Sequence, residues 1–190
     1  MKFILKWLIV FSCVNFTGSV SAQEQNLEKP PHVWLDKDGK ALPETPWQKS
    51  NGSLGVMQML TTEPEEFLAN WDKVTKGVHI ELAEQVSKGT PIVSFLLFTG
   101  CKPDDKNNCR LGLAYKVVAP SGKLYHATDM MEAWVDKPAP PKQSLQLSVN
   151  YLGTIIEPKD ELGEYIIYCM VYDLNAGTEI LTKQTFLAVD

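Results

Sequence analysis

The residues of this chain with the clearest chemistry are two cysteines that bracket a short polar loop. Cys101 and Cys109 enclose Lys-Pro-Asp-Asp-Lys-Asn-Asn, directly after an apolar run. Proline, Asp and Asn favour turns, so the loop can bring its two ends within disulfide reach. A zinc site is disfavoured, because the cysteines are too far apart for a ligand pair and no pair of histidines is nearby. The sequence therefore predicts a structural Cys101–Cys109 disulfide.

The enclosed residues are the predicted binding loop, through Lys102, Asp104, Asp105, Asn107 and Asn108. They are polar and restrained, which lowers the entropic cost of ordering them against a partner. Their oxygens could also bind calcium, but the spacing lacks the Asp-x-Asx-x-Asx-Gly order and a distal glutamate. We therefore interpret them as turn residues and assign no metal or cofactor to the loop.

A further cysteine, Cys169, alternates with Tyr165 and Val171 on one face of a predicted strand. That face is expected to point into the core, so the favoured prediction is a buried, inert thiol. A disulfide with one of the loop cysteines stays open as an alternative. A catalytic thiol needs a base, and no neighbour in the sequence supplies one. A thiol-dependent or other hydrolytic enzyme is therefore retained only as an alternative function.

A second alternative function is the binding of a metal, copper or calcium, in the periplasm. Thioethers suit copper(I), and a site could be formed by Met57, Met59, His126, Met130 and Met131. Methionine at strand spacing more often fills a core. The known hydrolase, metalloprotease and phosphate-loop motifs do not occur in the sequence, so nothing in it favours an enzyme.

The amino terminus predicts the compartment. Lys2 and Lys6 flank an apolar run over residues 3–14, and small residues over 19–22 offer a cleavage site after Ala22. This pattern is typical of a secretory signal peptide. No later segment approaches the roughly 20 apolar residues of a spanning helix, so we expect no membrane span after signal removal. The mature chain is predicted to be periplasmic or secreted, where disulfides form.

Charge limits the class of partner. The formal net charge is −5, and lysine and arginine are not clustered anywhere. Nucleic acids and anionic membranes are therefore disfavoured as partners. We expect a protein or peptide partner in the cell envelope.

Three regions are predicted: a signal peptide at 1–22, an extended Pro/Gly-rich arm at 23–52 and a β-sandwich domain at 53–190. Trp34 and Trp47 are expected to hold the arm against the domain. A short helix near 63–73 is indicated by Thr62 as a cap, Pro64 in the first turn and acids beside it. A stiff connector at 137–142 follows from its prolines and is the second predicted binding element.

The rest of the chain is predicted to form short strands separated by turns. Their predicted ranges are 56–60, 78–82, 91–98, 111–117, 124–126, 131–135, 145–151, 165–174 and 179–189. The range 91–98 is almost continuously apolar, as in a central strand. Turns at about every 8 to 12 residues indicate an all-β antiparallel sandwich of about seven to nine strands.

Two sets of residues resemble known proteins. The segment 161–165, acid-x-Gly-x-Tyr, resembles the approach to a late strand in immunoglobulin-like sandwiches, where Tyr165 would form a tyrosine corner. The stretch 66–189 resembles a group of uncharacterised exported bacterial proteins. That likeness is carried by Phe67 with Trp71, Gly100-Cys101 with Asn108-Cys109, and the segments 137–140, 151–153, 157–158 and 162–165.

The resemblance implies an exported immunoglobulin-like sandwich of the fibronectin-like or chaperone-like kind, and transfers no catalytic residues. Antibody-type domains are disfavoured, because Ile167 stands where their inter-sheet cysteine would be. The favoured function is a non-catalytic binding or envelope-assembly module.

Overall fold

The computed structural model describes residues 34–36, 38–71, 82–142 and 144–190. The predicted signal peptide, most of the predicted strand at 78–82 and the end of the predicted helix lie outside them. The elements are β1 (Gln48–Asn51), β2 (Leu54–Thr61), α1 (Pro64–Trp71), β3 (Gln85–Ser87), β4 (Pro91–Thr99), β5 (Asn108–Val118), β6 (Leu124–Ala127), β7 (Met131–Pro138), β8 (Gln146–Leu147), β9 (Leu152–Ile155), β10 (Gly163–Asp173) and β11 (Thr178–Val189).

The strands form two sheets that enclose one main core. In the first sheet β2 lies between β1 and β4, and both β8 and β9 pair with the other edge of β4. The second sheet has the order β3-β11-β10-β5, and both β6 and β7 pair with β5. All pairings are antiparallel except that of β3 with β11, which is parallel. The predicted class, an all-β sandwich with one short helix, is confirmed.

The described residues contain eleven strands, more than the sequence predicts. The additional ones are short: β1 has four residues, β3 three and β9 four. The predicted strand at 145–151 is reduced to the two residues of β8. Beyond it, the N–H of Ser148 still donates to the carbonyl of Leu96 on β4 at 2.9 Å, whereas the N–H of Val149 donates to the carbonyl of Ala133 on β7 at 3.0 Å, so the chain leaves β4 after Ser148.

Strand β4 is almost continuously apolar because both of its faces are buried. Ile92, Leu96 and Phe98 lie in the main core between the sheets. The alternate residues face outward and form a second cluster with α1, where the Phe95 and Phe67 rings are 4.5 Å apart. The prediction of a central strand is confirmed, since β4 pairs with β2 on one edge and with β8 and β9 on the other.

Helix α1 begins as the sequence predicts, at Pro64 with Glu65 and Glu66 in its first turn. Acids at this end are favoured by the helix dipole. The hydroxyl that supports the turn belongs to Thr61, which accepts the N–H of Glu63 at 3.0 Å. It therefore lies one residue earlier than the predicted cap.

The described part of the arm lies along the sandwich. The indole N–H of Trp34 donates to the carbonyl of Lys49 at 3.1 Å, and the carbonyl of Trp47 accepts the N–H of Gln58 at 2.8 Å. Strand β1 falls within the range predicted as arm, so pairing with the domain begins before residue 53.

A buried polar network links the two sheets. The side-chain amide of Gln58, on β2, donates to the Ser94 hydroxyl at 3.1 Å and to the Ile167 carbonyl at 3.2 Å. Its oxygen accepts the Thr182 hydroxyl at 2.9 Å. Buried polar groups need such partners, so this network favours one registration of the sheets over others.

Candidate functional site

The structure contains the predicted disulfide between Cys101 and Cys109, and their Cα atoms are 6.1 Å apart. Cys101 follows β4 of the first sheet, whereas Cys109 lies in β5 of the second. The bridge therefore joins the sheets at one end of the sandwich. Gly100 enters the loop with φ +74°, and a Cβ there would run into the carbonyl of Ser53, so this position requires glycine.

Asp104 shapes the interior of the loop. Its Oδ1 accepts the N–H groups of Lys106 at 2.9 Å and Asn108 at 2.8 Å. Asn107 takes the left-handed conformation, φ 63°, which asparagine tolerates better than most residues. Oδ1 of Asp104, one of the loop oxygens that the calcium interpretation would use, is thus occupied by backbone donors.

The loop is anchored by Asp173, the last residue of β10, which is 2% exposed. Its Oδ2 accepts the N–H of Lys102 at 2.8 Å. Its Oδ1 accepts the N–H groups of Asn175 at 3.1 Å and Ala176 at 3.0 Å. One buried carboxylate therefore orders both the disulfide loop and the β10–β11 turn.

Asn175 adds a second link between the same two segments. Its side-chain amide donates to the carbonyls of Lys102 and Asn108, both at 3.0 Å. Sequence reasoning missed Asp173 and Asn175 as site residues, because an Asp-x-Asn-x-Gly segment between two strands reads simply as hairpin turn chemistry.

The proline connector meets the loop as well. The N–H of Ala139 donates to the carbonyl of Asn107 at 2.8 Å. On the same strand the indole of Trp134 donates to the Pro138 carbonyl at 3.2 Å, and the Lys137 ammonium lies 4.8 Å from the Trp134 ring centroid. The structure thus brings together the two predicted binding elements, which the sequence places more than a strand apart.

We call residues 102–108, 136–142 and 174–177 the end-loop surface. Of the predicted binding residues, Lys102, Asp104, Asp105 and Asn107 are exposed and Asn108 is half-buried. Charges of both signs are present on this surface, with Lys106 next to Asp105 in the sequence. A rigid backbone that presents mixed charges suits a polar partner surface rather than a uniformly charged polymer.

Cys169 lies in the core and is free, as the favoured prediction had it. Burial raises the pKa of its thiol to about 12, and a hydrogen bond with Tyr115 offsets this only in part. The thiol is therefore protonated near neutral pH and shielded from solvent, so it does not act as a nucleophile in this fold.

The five residues of the copper alternative are not brought together. Met57 and Met59 pack on the outer face of the first sheet, against the helix cluster. His126 and Met131 lie on β6 and β7 of the second sheet, and Met130 precedes β7. Within the described ranges, no group of three His, Cys, Asp or Glu side chains could hold a metal ion.

Tyr165 occupies the corner that the resemblance implies. Its hydroxyl donates to the carbonyl of Glu161 at 2.9 Å, and its ring stacks on Phe186 at 5.4 Å. Burial raises the pKa of this hydroxyl, with smaller contributions from Asp160 and Glu161. Tyr165 lies near the start of β10, so it supports the opposite end of the sandwich from the end-loop surface.

As for membranes, the part of the chain that the structure describes has no helix long and apolar enough to cross a bilayer.

Comparison with known proteins gives neither a matching protein-family model nor a matching curated protein. Solved structures with partial likeness include the alkylpurine DNA glycosylase AlkC of Pseudomonas fluorescens, bound to DNA containing an abasic site analogue. It is 12% identical with a TM-score of 0.40, over 73% of this chain and 31% of that one.

Two further structures are similarly distant. A family 123 glycoside hydrolase from Clostridium perfringens is 10% identical with a TM-score of 0.42, over 71% of this chain and 27% of that one. The CARDB domain of a Pyrococcus furiosus protein, in complex with di-metal ions, is 10% identical with a TM-score of 0.37, over 78% of this chain and 100% of that one. At these values no ligand or activity transfers to this chain.

Proposed function

We propose that this protein is a non-catalytic, exported binding module that holds a protein or peptide partner of the cell envelope on its end-loop surface. The observation that carries the proposal is the double anchoring of the disulfide loop, by the Cys101–Cys109 bridge and by the buried carboxylate of Asp173. Loops fixed this firmly lose little entropy on binding. The predicted export supports the proposal, because a disulfide persists in an oxidising compartment.

Some residues of the loop hold its shape, and the side chains of others are available to contact a partner. Asp104 accepts two backbone hydrogen bonds, so reversing its charge would also deform the loop. The side chains of Asp105 and Lys106 are exposed, and no hydrogen bond or ion pair within the described ranges involves either of them. These two side chains are therefore the appropriate probes of binding.

The test places a photo-crosslinking amino acid at Asp105 or Lys106 in the full chain, expressed in its own compartment. The control position is Lys123, exposed in the turn after β5 at the opposite end of the sandwich. We expect one protein or peptide adduct from the loop positions and none from Lys123.

Charge reversal gives the second arm. This arm uses a chain without the photo-crosslinking amino acid, and an added crosslinking reagent forms the adduct. The double variant Asp105→Lys with Lys106→Glu should give an adduct yield at least about tenfold lower than the unaltered chain, whereas Lys123→Glu should leave the yield unchanged. Identical adducts from both ends of the molecule, or none from the loop, would refute the proposal.

A further inference from the structure

The outer face of the second sheet carries two lysines with a tyrosine between them. Lys116 on β5 and Lys183 on β11 are both paired with Tyr168 on β10, so the three residues lie side by side across the sheet. The neighbours Ile167 and Cys169 lie in the main core, and side chains alternate along a strand, so Tyr168 points outward. We call Lys116, Tyr168 and Lys183 the cationic row.

The side chains of the cationic row are accessible on this face. Lys116 is exposed, and Tyr168 and Lys183 are half-buried. Opposite positions on neighbouring strands have Cβ atoms about 5 Å apart, so the two lysine side chains begin within about 10 Å of each other, one on either side of the tyrosine. In the part of the chain that the structure describes, neither lysine takes part in an ion pair.

The arrangement of charges makes the cationic row locally positive, although the chain as a whole is acidic. On β10 and β11 the acidic residues of the same face are Glu164 and Glu179. Each lies four positions along its strand from the row, about 13 Å, which exceeds the Debye length of about 8 Å at physiological ionic strength. The row therefore attracts an anionic group, whereas the two glutamates repel an anionic chain that runs along the strands.

The backbone of β10 beneath the row is already occupied. Over residues 166–173, β10 pairs with β5 on one side and with β11 on the other. An extended peptide gains affinity by adding backbone hydrogen bonds at a free sheet edge, and β10 has no free edge over this range. A ligand of the row is therefore recognised by side chains alone, through the tyrosine ring and the ammonium groups.

A second copy of the chain does not suit this face. In a face-to-face dimer centred on Tyr168, a two-fold axis would place the row of one copy opposite the row of the other. The lysines of both copies would then meet, and like charges directly opposite each other are destabilising. A nucleic acid is disfavoured by the formal net charge of −5 and by the predicted export.

An acidic sugar combines the two features that the row can recognise. The C–H face of a pyranose ring packs on the electron-rich face of an aromatic ring. Its carboxylate accepts charge-assisted hydrogen bonds from ammonium groups. Met170 and Leu181 are paired in an adjacent row and add apolar surface beside Tyr168, and Leu181 is exposed.

We propose that the cationic row binds a short acidic oligosaccharide that crosses the strands, with one sugar ring on Tyr168 and with carboxylates paired to Lys116 and Lys183. This site lies on a sheet face, whereas the end-loop surface lies at one end of the sandwich, so either proposal can fail without the other.

The test uses the full mature chain and two fluorescein-labelled hexamers, one of galacturonate and one of mannuronate, with binding followed by fluorescence anisotropy. Each hexamer has a matched neutral control in which the carboxylates are reduced to alcohols. A labelled hexaglutamate carries the same number of carboxylate side chains without sugar rings. We expect saturable binding of at least one hexuronate, and at least about tenfold weaker binding of its neutral control and of hexaglutamate.

Protein variants locate the binding. Tyr168→Ala should weaken it about tenfold, whereas Tyr168→Phe should leave it within about twofold, because the ring makes the contact with the sugar. Lys116→Gln and Lys183→Gln should each weaken it at least about fivefold, and Lys123→Gln, exposed in the turn after β5, is the matched control that should not. If Tyr168→Ala does not fold, Lys116→Gln decides, since that side chain is exposed.

Three results would overturn the proposal: no saturable binding of either hexuronate up to about 1 mM, equal binding of the neutral control or of hexaglutamate, or unchanged binding in Lys116→Gln. Equal binding of hexaglutamate would mean that the row recognises negative charge without a sugar ring. The double variant Asp105→Lys with Lys106→Glu should leave hexuronate binding unchanged, which separates this site from the end-loop surface.

Discussion

The carboxylate of Asp173 accepts the backbone N–H of Lys102 at 2.8 Å, although 71 positions separate the two residues. The contact uses the main chain of Lys102, so its side chain stays exposed and available. The same carboxylate also orders the turn that follows β10. Asp173 therefore holds the shape of the surface without forming part of its exposed chemistry.

Replacing Asp173 by alanine should lower the free energy of unfolding by about 3 kcal/mol, because three backbone N–H groups lose a charged acceptor. Urea denaturation followed by circular dichroism measures this. The matched control is Asp105→Ala, exposed in the same segment, which should stay within about 0.5 kcal/mol. Equal effects of the two substitutions would contradict the anchoring role.

Replacing both Cys101 and Cys109 by alanine should cost about 2.5 kcal/mol in loop-closure entropy, apart from any change in packing. The unfolding midpoint should then become insensitive to dithiothreitol, whereas that of the unaltered protein should fall when the reductant is added. A reductant effect that persists in the double variant would show that another bond is responsible.

Cys169 should give a distinct pH dependence. Burial raises the pKa of its thiol from an ordinary value of 9.0 to about 12. Between these values the unfolded chain releases a proton that the folded chain retains, so ionisation favours unfolding as the pH rises. The free energy of unfolding should fall by up to about 1.4 kcal/mol per pH unit above pH 9 relative to Cys169→Ala.

Thiol labelling gives an independent check on Cys169. An aromatic disulfide reagent at pH 8 should leave the native protein unlabelled and modify one thiol after denaturation in urea. Rapid labelling of the native chain would show that Cys169 is accessible and reopen the thiol-enzyme alternative.

Tyr165→Phe should lower the free energy of unfolding by about 1 kcal/mol, since it removes the hydrogen bond to Glu161 and keeps the ring. Tyr151→Phe is the control: Tyr151 is exposed, and its hydroxyl bonds to no described residue. Chemical denaturation of both variants under one set of conditions tests the difference. A Tyr165→Phe protein as stable as the control would mean that the ring alone supports the corner.

The sequence predicts those parts of the fold that depend on local pattern. The apolar run of β4 and the alternation along β10 and β11 each identify a strand, because burial on one or both faces leaves a period in the sequence. Strand β1 leaves no such mark, since Gln-Lys-Ser-Asn is polar throughout and is fixed by pairing with β2. The parallel pairing of β3 with β11 is likewise a tertiary contact without a local signature.

The candidate site likewise has one part that the sequence predicts and another that depends on tertiary contacts. The disulfide follows from the spacing and turn content of its loop. The anchoring by Asp173 depends on bringing two hairpins side by side, and no pattern within either hairpin specifies which backbone donor its carboxylate meets.

The hydrogen bond between Asn175 and Lys102, which are 73 positions apart, affects the order in which parts of the molecule can fold. The β10–β11 hairpin leaves the ribosome after β5, and it must dock on β5 before the disulfide segment gains its final support. Contacts between such distant positions form late in folding, after the loss of chain entropy has been offset elsewhere. A receptor that recognises this end of the molecule would thereby discriminate finished protein from nascent, truncated or misassembled chains.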